Sequence, residues 1–286
     1  MKYAVTGASG KLGTFVLQYL KEQGAEKETI AVVRDSKKGE PIKEQGFEVR
    51  IADYMDKNSL VSAFSGVERL LFISSAPGGE VPRLTQHQNV VAAAKEAGVQ
   101  FIAYTSLAKA DRSTSFLAPD HLGTEKSIIA SGMDYALLRN NWYLENDQSV
   151  FERADSTGVF AYSAGSGRVS WALRREYAQA AARVLLGIAR DTGVLEMSGK
   201  SVTYSDLAAG YVKISKKPFE VKSFTDEEYK AYLEQHQVSD MEIGGTLAIQ
   251  KEIRDGALDV DQSDFERVLG RPLSSLPDAI KEILGL

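Results

Sequence analysis

Along the first half of the chain, short runs of β-branched and aromatic residues alternate with longer stretches whose apolar residues recur at helical spacing. That is the pattern of repeated βαβ units on a parallel sheet. The runs Tyr3 to Thr6, Thr29 to Arg34, Phe47 to Ala52, Arg69 to Ser74, Phe101 to Thr105 and Tyr135 to Arg139 read as strands. Leu12, Phe15, Val16, Tyr19 and Leu20 form one helical stripe that stops at Gly24. Asp56 is placed to cap a helix carrying Leu60, Val61 and Phe64, and a further helix with Val90, Val91 and Ala94 ends at Gly98. Right-handed crossovers then put helices on both faces of one sheet and open a ligand crevice at the carboxyl ends of the strands.

After Asn146 the pattern changes to mixed short strands and helices, with helices expected over Arg174 to Ala189 and Asp226 to Gln237. This predicts a first domain over residues 1–150 and a smaller mixed domain over 151–286, partly interleaved with the first, closing over the crevice and supplying selectivity. Gly244 and Gly245, within Met241 to Gly256, mark a weakly helical or mobile spot. Lys216 and Lys217 before Pro218 read as a solvated turn.

The stretch Thr6, Gly7, Ala8, Ser9, Gly10, Lys11, Leu12, Gly13 stands directly between the first predicted strand and the first predicted helix. Gly7 permits a tight turn, Gly10 removes a side chain where backbone must approach a diphosphate, and Gly13 lets helix and strand pack closely. The free N–H groups at the helix start attract an anion. In this setting the spacing points to a Rossmann-type, doubly wound α/β fold that holds a nicotinamide dinucleotide.

The end of the second strand discriminates between the two nicotinamide cofactors. Arg34 can stack on adenine and pair with an additional phosphate, with Lys37 and Lys38 adding positive potential, which favours NADPH. Asp35 could instead serve the ribose of NADH. Asp53 is placed to meet the adenine edge, whereas Asp56 is better explained as a helix cap. Ser74, Ser75 and Ala76 follow the fourth strand with small side chains that let the chain pass close to the cofactor ribose.

Composition narrows the chemistry. The 286 residues carry 34 Lys plus Arg against 39 Asp plus Glu, a net charge of −5, so no basic excess points to nucleic acid. The absence of cysteine excludes disulfides, thiolate metal sites and cysteine nucleophiles. The three histidines lack metal-ligand spacing, so no metal is expected, and His87 and His236 read as exposed helix residues. Apolar runs are of strand length, too short for a signal segment or a membrane span, and a cytoplasmic chain with no membrane partner is expected. An exposed sheet edge or helix pair is where a homodimer would form.

TGASGKLG near the start, AVVRD at the second strand, QHQNVVAAAKEAGVQFIAYTSL from Gln86 to Leu107 and SGMDYALLRNNWYLEN from Ser131 to Asn146 together resemble the short-chain dehydrogenase/reductase superfamily. Within it the likeness is to the atypical NmrA-like branch and, inside that branch, to the type 2 NAD(P)H:quinone oxidoreductase group. GRVSWALRREYAQAAA from Gly167 to Ala182 and the ending SDFERVLGRPLSSL are similar to the same branch. The resemblance implies a Rossmann domain with a smaller C-terminal domain, NAD(P)H binding, and hydride delivery to a small-molecule quinone without a flavin.

The chain departs from ordinary superfamily members at the Tyr-x-x-x-Lys pair that protonates a carbonyl oxygen. With Ser131-Gly132 as anchor the motif falls on Leu117 to His121, so Leu117 stands in the tyrosine place and His121 in the lysine place. Ending the frame on Lys126 puts Leu122 in the tyrosine place. Thr105 and Ser106 remain near the usual hydroxyl position. A ketone accepting hydride gives a strongly basic alkoxide, whereas a quinone gives a delocalised phenolate that water can protonate. General acid catalysis typically contributes about 10²–10⁴-fold, so the loss of the tyrosine weighs on carbonyl reduction and much less on quinone reduction. The other readings are a non-catalytic NADP(H)-sensing regulator of the NmrA-like kind and a carbonyl or double-bond reductase of the superfamily.

His121 could hydrogen-bond a ribose hydroxyl or the substrate oxygen, with Glu125 one helical turn later orienting it. Asn140, Asn141, Trp142 and Tyr143 leave the sixth strand with Arg139 at its carboxyl end, and the resemblance implies that this segment lies against the nicotinamide. Asn141 is, with His121, a catalytic candidate. Trp142, Tyr143 and Trp171 are candidates for the substrate wall, Trp142 being equally readable as a core anchor.

Overall fold

In the computed structural model, residues 1–78, 80–190, 192–215 and 217–286 are described. Its strands are β1 (Tyr3–Val5), β2 (Thr29–Val33), β3 (Glu48–Ile51), β4 (Arg69–Phe72), β5 (Phe101–Leu107), β6 (Asp134–Asn140), β7 (Val159–Tyr162), β8 (Arg168–Val169), β9 (Gly193–Met197), β10 (Val202–Thr203) and β11 (Glu220–Ser223). Seven of them form one sheet in the order β3-β2-β1-β4-β5-β6-β9, every neighbouring pair parallel. All six strands expected from the alternation are present. Strand β2, Thr-Ile-Ala-Val-Val, is buried at every position because helices cover both faces of the sheet.

The helices of this half are α1 (Lys11–Glu22), α2 (Ser36–Glu44), α3 (Lys57–Ala63), α4 (Arg83–Glu96) and α5 (Ala118–Ser131). One face packs against α1 and, from the second half of the chain, α7 (Arg174–Leu185), through Val16, Leu20, Ala178 and Val184. The other face packs against α3, α4 and α5, through Leu60, Val90, Ala94 and Ile128. From β1 the chain winds outward to β2 and β3, then returns to lay β4 on the opposite side of β1. The reversal leaves a crevice above the carboxyl ends of β1 and β4.

Residues beyond 150 contribute to this sheet as well. Strand β9 pairs with β6, Leu138 opposite Leu195, and α11 (Phe265–Leu269) returns to pack Phe265 against Tyr177 of α7 at 4.5 Å between ring centres. The remaining elements are α6 (Gln148–Thr157), α8 (Tyr204–Ser215), α9 (Asp226–Gln235), α10 (Asp240–Arg254) and α12 (Leu276–Leu284), with β7, β8, β10 and β11. They enclose a second core that includes Leu144, Phe151, Phe160, Tyr204, Tyr211 and Ile280.

Two expectations change here. Gly244 and Gly245 do not interrupt α10: Ser239 caps the helix by accepting from Glu242 N, and Ile243 and Ile253 bury its apolar side. His87 is fully buried, because α4 turns Arg83, His87, Val90, Val91 and Ala94 inward as one helical stripe. His236, by contrast, is exposed just after α9. Lys217 is exposed and 3.2 Å from Asp155, and Lys216 lies outside the described residues. Among the described residues no helix is long and apolar enough to cross a membrane.

Candidate active site

Gly7 turns the chain out of β1 with φ +61°, a left-handed conformation that favours glycine. Gly13 sits where α1 crosses the turn: a Cβ there would lie 2.3 Å from the Gly7 carbonyl oxygen and 2.8 Å from Ala8 Cα. Leu12 and Ala8 are buried, anchoring the turn to the core, while Ser9, Gly10 and Lys11 face solvent. No side chain caps α1, and the Thr14 N–H bonds back to the Gly10 carbonyl at 2.9 Å. The N–H groups of the first turn are therefore available to an anion. This cradle fits a dinucleotide diphosphate.

Tyr54 braces the cradle from beneath. Its hydroxyl lies 2.6 Å from Thr6 Oγ1 and 2.8 Å from the Ile73 carbonyl oxygen, and Thr6 Oγ1 also accepts from Ile73 N at 3.2 Å. The ends of β1 and β4, which flank the reversal point, are thus tied together. Burial pushes the Tyr54 hydroxyl well above the ordinary phenol range, so it stays neutral.

At the end of β2, Arg34 is exposed, with no hydrogen-bond or ion-pair partner among the described residues. Asp35 caps α2 by accepting from Lys37 N at 2.9 Å. Asp53 accepts from Met55 N at 2.9 Å in a local turn, and Asp56 caps α3 by accepting from Asn58 N and Ser59 N.

The loop after β4 is held from several sides. Ser74 N donates to Thr105 Oγ1 at 2.9 Å, Ser75 N donates to His87 Nε2 at 3.1 Å, and Arg83 Nε donates to the Ser75 carbonyl at 2.7 Å. Ala76 is exposed. Beneath this loop, His87 Nδ1 is 2.8 Å from Thr124 Oγ1, whose hydroxyl donates to the Asp120 carbonyl at 2.7 Å. His121 has Nε2 3.1 Å from Arg83 Nη2 and Nδ1 2.9 Å from the Tyr104 hydroxyl. Both rings are buried. Desolvation first, and then the charge of Arg83, push His87 down to about 3 and His121 down to about 2. His121 therefore already has protein partners at both nitrogens. Glu125 does not orient it: the Glu125 carboxylate forms a two-pronged pair with Arg139, Oε1 to Nε at 3.0 Å and Oε2 to Nη2 at 2.8 Å, and accepts from Ser106 Oγ at 2.6 Å.

The residues leaving β6 are also heavily bonded. Asn140 Nδ2 donates to the Tyr143 hydroxyl at 3.0 Å, and the half-buried Tyr143 ring meets Tyr177 edge-on at 4.9 Å. Asn141 Nδ2 donates to Ser198 Oγ and to the Leu258 carbonyl, and its Oδ1 accepts from Trp142 N. The indole N–H groups of Trp142 and Trp171 both go to Asp147 Oδ2, at 3.0 and 2.6 Å, while Tyr204 donates to Oδ1 at 2.7 Å. Trp171 is buried in the second core; Trp142 keeps a partly exposed ring. These side chains join the sheet to the second lobe. Asn141 and Trp171 thereby anchor the end of the sheet to the second lobe.

A cavity of about 620 Å³ opens between the β5–α5 connection and residues 255–262, lined by Lys109, Arg112, Glu196, Asp255, Asp259 and Asp261 among others. It is charged rather than aromatic and includes no residue of the glycine turn. The dinucleotide groove is therefore located by the turn, not by this cavity. Among the described residues no group of three His, Cys, Asp or Glu could hold a metal.

A family model described as NAD(P)H-binding matches residues 7–173, from the glycine turn to the residue before α7. The chain belongs to this NAD(P)H-binding family. Quinone oxidoreductase 2 of Escherichia coli strain K12 is 38% identical over 288 aligned positions, 99% of each chain. The crystal structure of the NADPH-dependent Escherichia coli enzyme complexed with NADPH has a TM-score of 0.90, covering 99% of both chains at 38% identity. Triphenylmethane reductase of Citrobacter sp. has a TM-score of 0.93, covering 100% of both at 34% identity.

In this family setting, four residues of the site escaped the reading of the sequence: Tyr54, Arg83, Tyr104 and Asp147. Arg83 carried a usable signal, since it and His87 continue the buried stripe of α4 one turn apart. Tyr54, Tyr104 and Asp147 carried none, because Thr6, His121 and Trp171 lie 48, 17 and 24 positions away.

Proposed function

We propose that the protein is a flavin-free, NADPH-dependent quinone reductase. The observation that carries this reading is the uncapped, glycine-cradled start of α1 at the sheet's reversal point, in a chain whose position for an acid tyrosine is Leu117 and whose neighbouring histidine is bonded at both nitrogens. NADPH, when bound, supplies a hydride from its nicotinamide. The turn residues 6–13 would hold the diphosphate, and Arg34 the additional phosphate. Asp35 already caps α2, which supports NADPH over NADH. The fixed loop Ser74–Ser75 and the braced segment Asn140–Tyr143 would form the walls on the nicotinamide side. Holding two planar reactants in contact can replace about 7–11 kcal/mol of a bimolecular barrier, so positioning by these walls supplies most of the rate.

Quinone is the acceptor this frame suits, because its reduced form is a weak base that needs no protein acid. The likeness to quinone oxidoreductase 2 supports the same acceptor. The test is NADPH oxidation by purified protein with a simple benzoquinone, corrected for the uncatalysed rate. Saturable turnover proportional to protein supports the proposal, and a rate independent of protein removes it.

A further inference from the structure

We infer that Arg83 is a positioning residue that fixes His121 in its neutral, Nδ1–H form and so withholds it as a proton donor to the acceptor. The inference rests on the quinone-reductase reading for its chemistry and on geometry for the residue. Arg83 opens α4 with only 8% of its surface exposed. A guanidinium can only donate, so His121 Nε2, 3.1 Å from Arg83 Nη2, must accept, and the ring proton must sit on Nδ1, directed at Tyr104 Oη 2.9 Å away. His87 is fixed in the same way, since the Ser75 N–H at its Nε2 is an obligate donor.

Arg83 has no carboxylate at hydrogen-bond distance, and its ion pair with Asp120 is a long one. Its Nε rests on a neutral carbonyl, its Nη2 on a neutral imidazole, and its buried Nη1 has no hydrogen-bond partner. The nearest carboxylate oxygen, Asp120 Oδ2, is 4.0 Å from Nη1. A buried cation is ordinarily held by a carboxylate at hydrogen-bond distance. The other titratable groups facing His121 are His87 from α4, Tyr104 from β5, and Asp120 and Glu125 of its own helix, and the Glu125 carboxylate is already paired with Arg139. Protonating His121 on Nε2 would break its bond to Arg83 and set two cations side by side. In the reaction, the hydride brings an electron pair to the quinone, the hydroquinone monoanion forms, and one proton from a donor other than His121 completes the hydroquinone.

The test is ¹⁵N NMR of the histidine rings in full-length protein, with and without NADPH, beside the kcat–pH profile for NADPH and a benzoquinone in wild type, Arg83→Met and Arg83→Lys. In wild type, His121 should show an unprotonated Nε2 and a protonated Nδ1 with no titration, and kcat should carry no histidine inflection, between about pH 5 and 8. In Arg83→Met, where burial still keeps His121 neutral, its ring signals should shift from the single Nδ1–H state toward a mixture of tautomers, and Arg83→Lys should restore the wild-type state. An Nε2–H tautomer or a titrating His121 in wild type would overturn the inference, as would an Arg83→Met protein that binds NADPH with its His121 signals unchanged. If Arg83→Met does not fold, the wild-type ring signals decide alone. Absence of quinone turnover in wild type with the ring signals as expected would remove the reductase reading and leave the assignment of Arg83 to His121 standing.

Discussion

The Tyr54 hydroxyl stands 2.6 Å from Thr6 Oγ1, joining the end of β1 to the segment that follows β3. It also reaches the Ile73 carbonyl beyond β4, so one phenol spans both lips of the crevice. Replacing Tyr54 with Phe leaves Thr6 and Ile73 short of a partner in a buried place. The expected cost is about 1–3 kcal/mol of stability, measured by urea unfolding. NADPH should recover part of it, because the cofactor binds the folded form only.

Gly13→Ala tests the cradle. The added methyl would stand 2.3 Å from the Gly7 carbonyl oxygen and 2.8 Å from Ala8 Cα, both backbone atoms, so the turn or α1 must shift. NADPH affinity should fall about tenfold or more, measured by quenching of protein fluorescence, since a small displacement removes several N–H contacts to a diphosphate at once.

Arg34→Ala separates the two cofactors. Loss of one charge-assisted contact of roughly 1.5–3 kcal/mol should weaken NADPH binding by about ten- to a hundredfold and leave NADH binding nearly unchanged. Equal weakening of both would deny Arg34 a role in reading the additional phosphate. Calorimetric titration of the two reduced cofactors gives the comparison.

Asp147 gives a pH signature. Desolvation raises its carboxyl to about 6 despite three donors, from Tyr204, Trp171 and Trp142. With the folded value above the ordinary carboxyl value of 3.8, the folded protein holds the proton more tightly. Its contribution to stability is therefore fully present below about pH 3.8 and is lost as pH rises through about 6. The buried neutral histidines act oppositely: unfolded histidine takes a proton below its ordinary value of 6.5, so their contribution is lost as pH falls. Asp147→Asn should lower stability at every pH and, in urea unfolding between pH 4 and 6.5, show a steeper fall toward acid than wild type.

How legible the protein was follows from how local each feature is. Strands β1 to β6 could be read because each is a short stretch rich in β-branched or aromatic residues, alternating with polar ones in β3, and flanked by turn residues. Strand β9 could not: its five residues lie on the sheet edge with Val194 exposed, and nothing in Gly-Val-Leu-Glu-Met separates it from a loop. The glycine turn was legible because its function depends on spacing within eight residues. His87 was misread as exposed although Arg83, His87, Val90, Val91 and Ala94 mark one helical face, since polar residues at its start hid the continuity of the stripe. The partners of His121 come from α4 and β5, and pairing across elements leaves no trace in a single sequence.

The central claim is that hydride passes directly from NADPH to a quinone held in this crevice. The most direct measurement compares quinone reduction using NADPH deuterated at each of the two C4 positions, with protein shown free of flavin absorbance. The account predicts protein-dependent, saturable turnover that is slowed by deuterium at one C4 position and little affected by deuterium at the other. Turnover no faster than in buffer alone, or equal slowing at both positions, would contradict it.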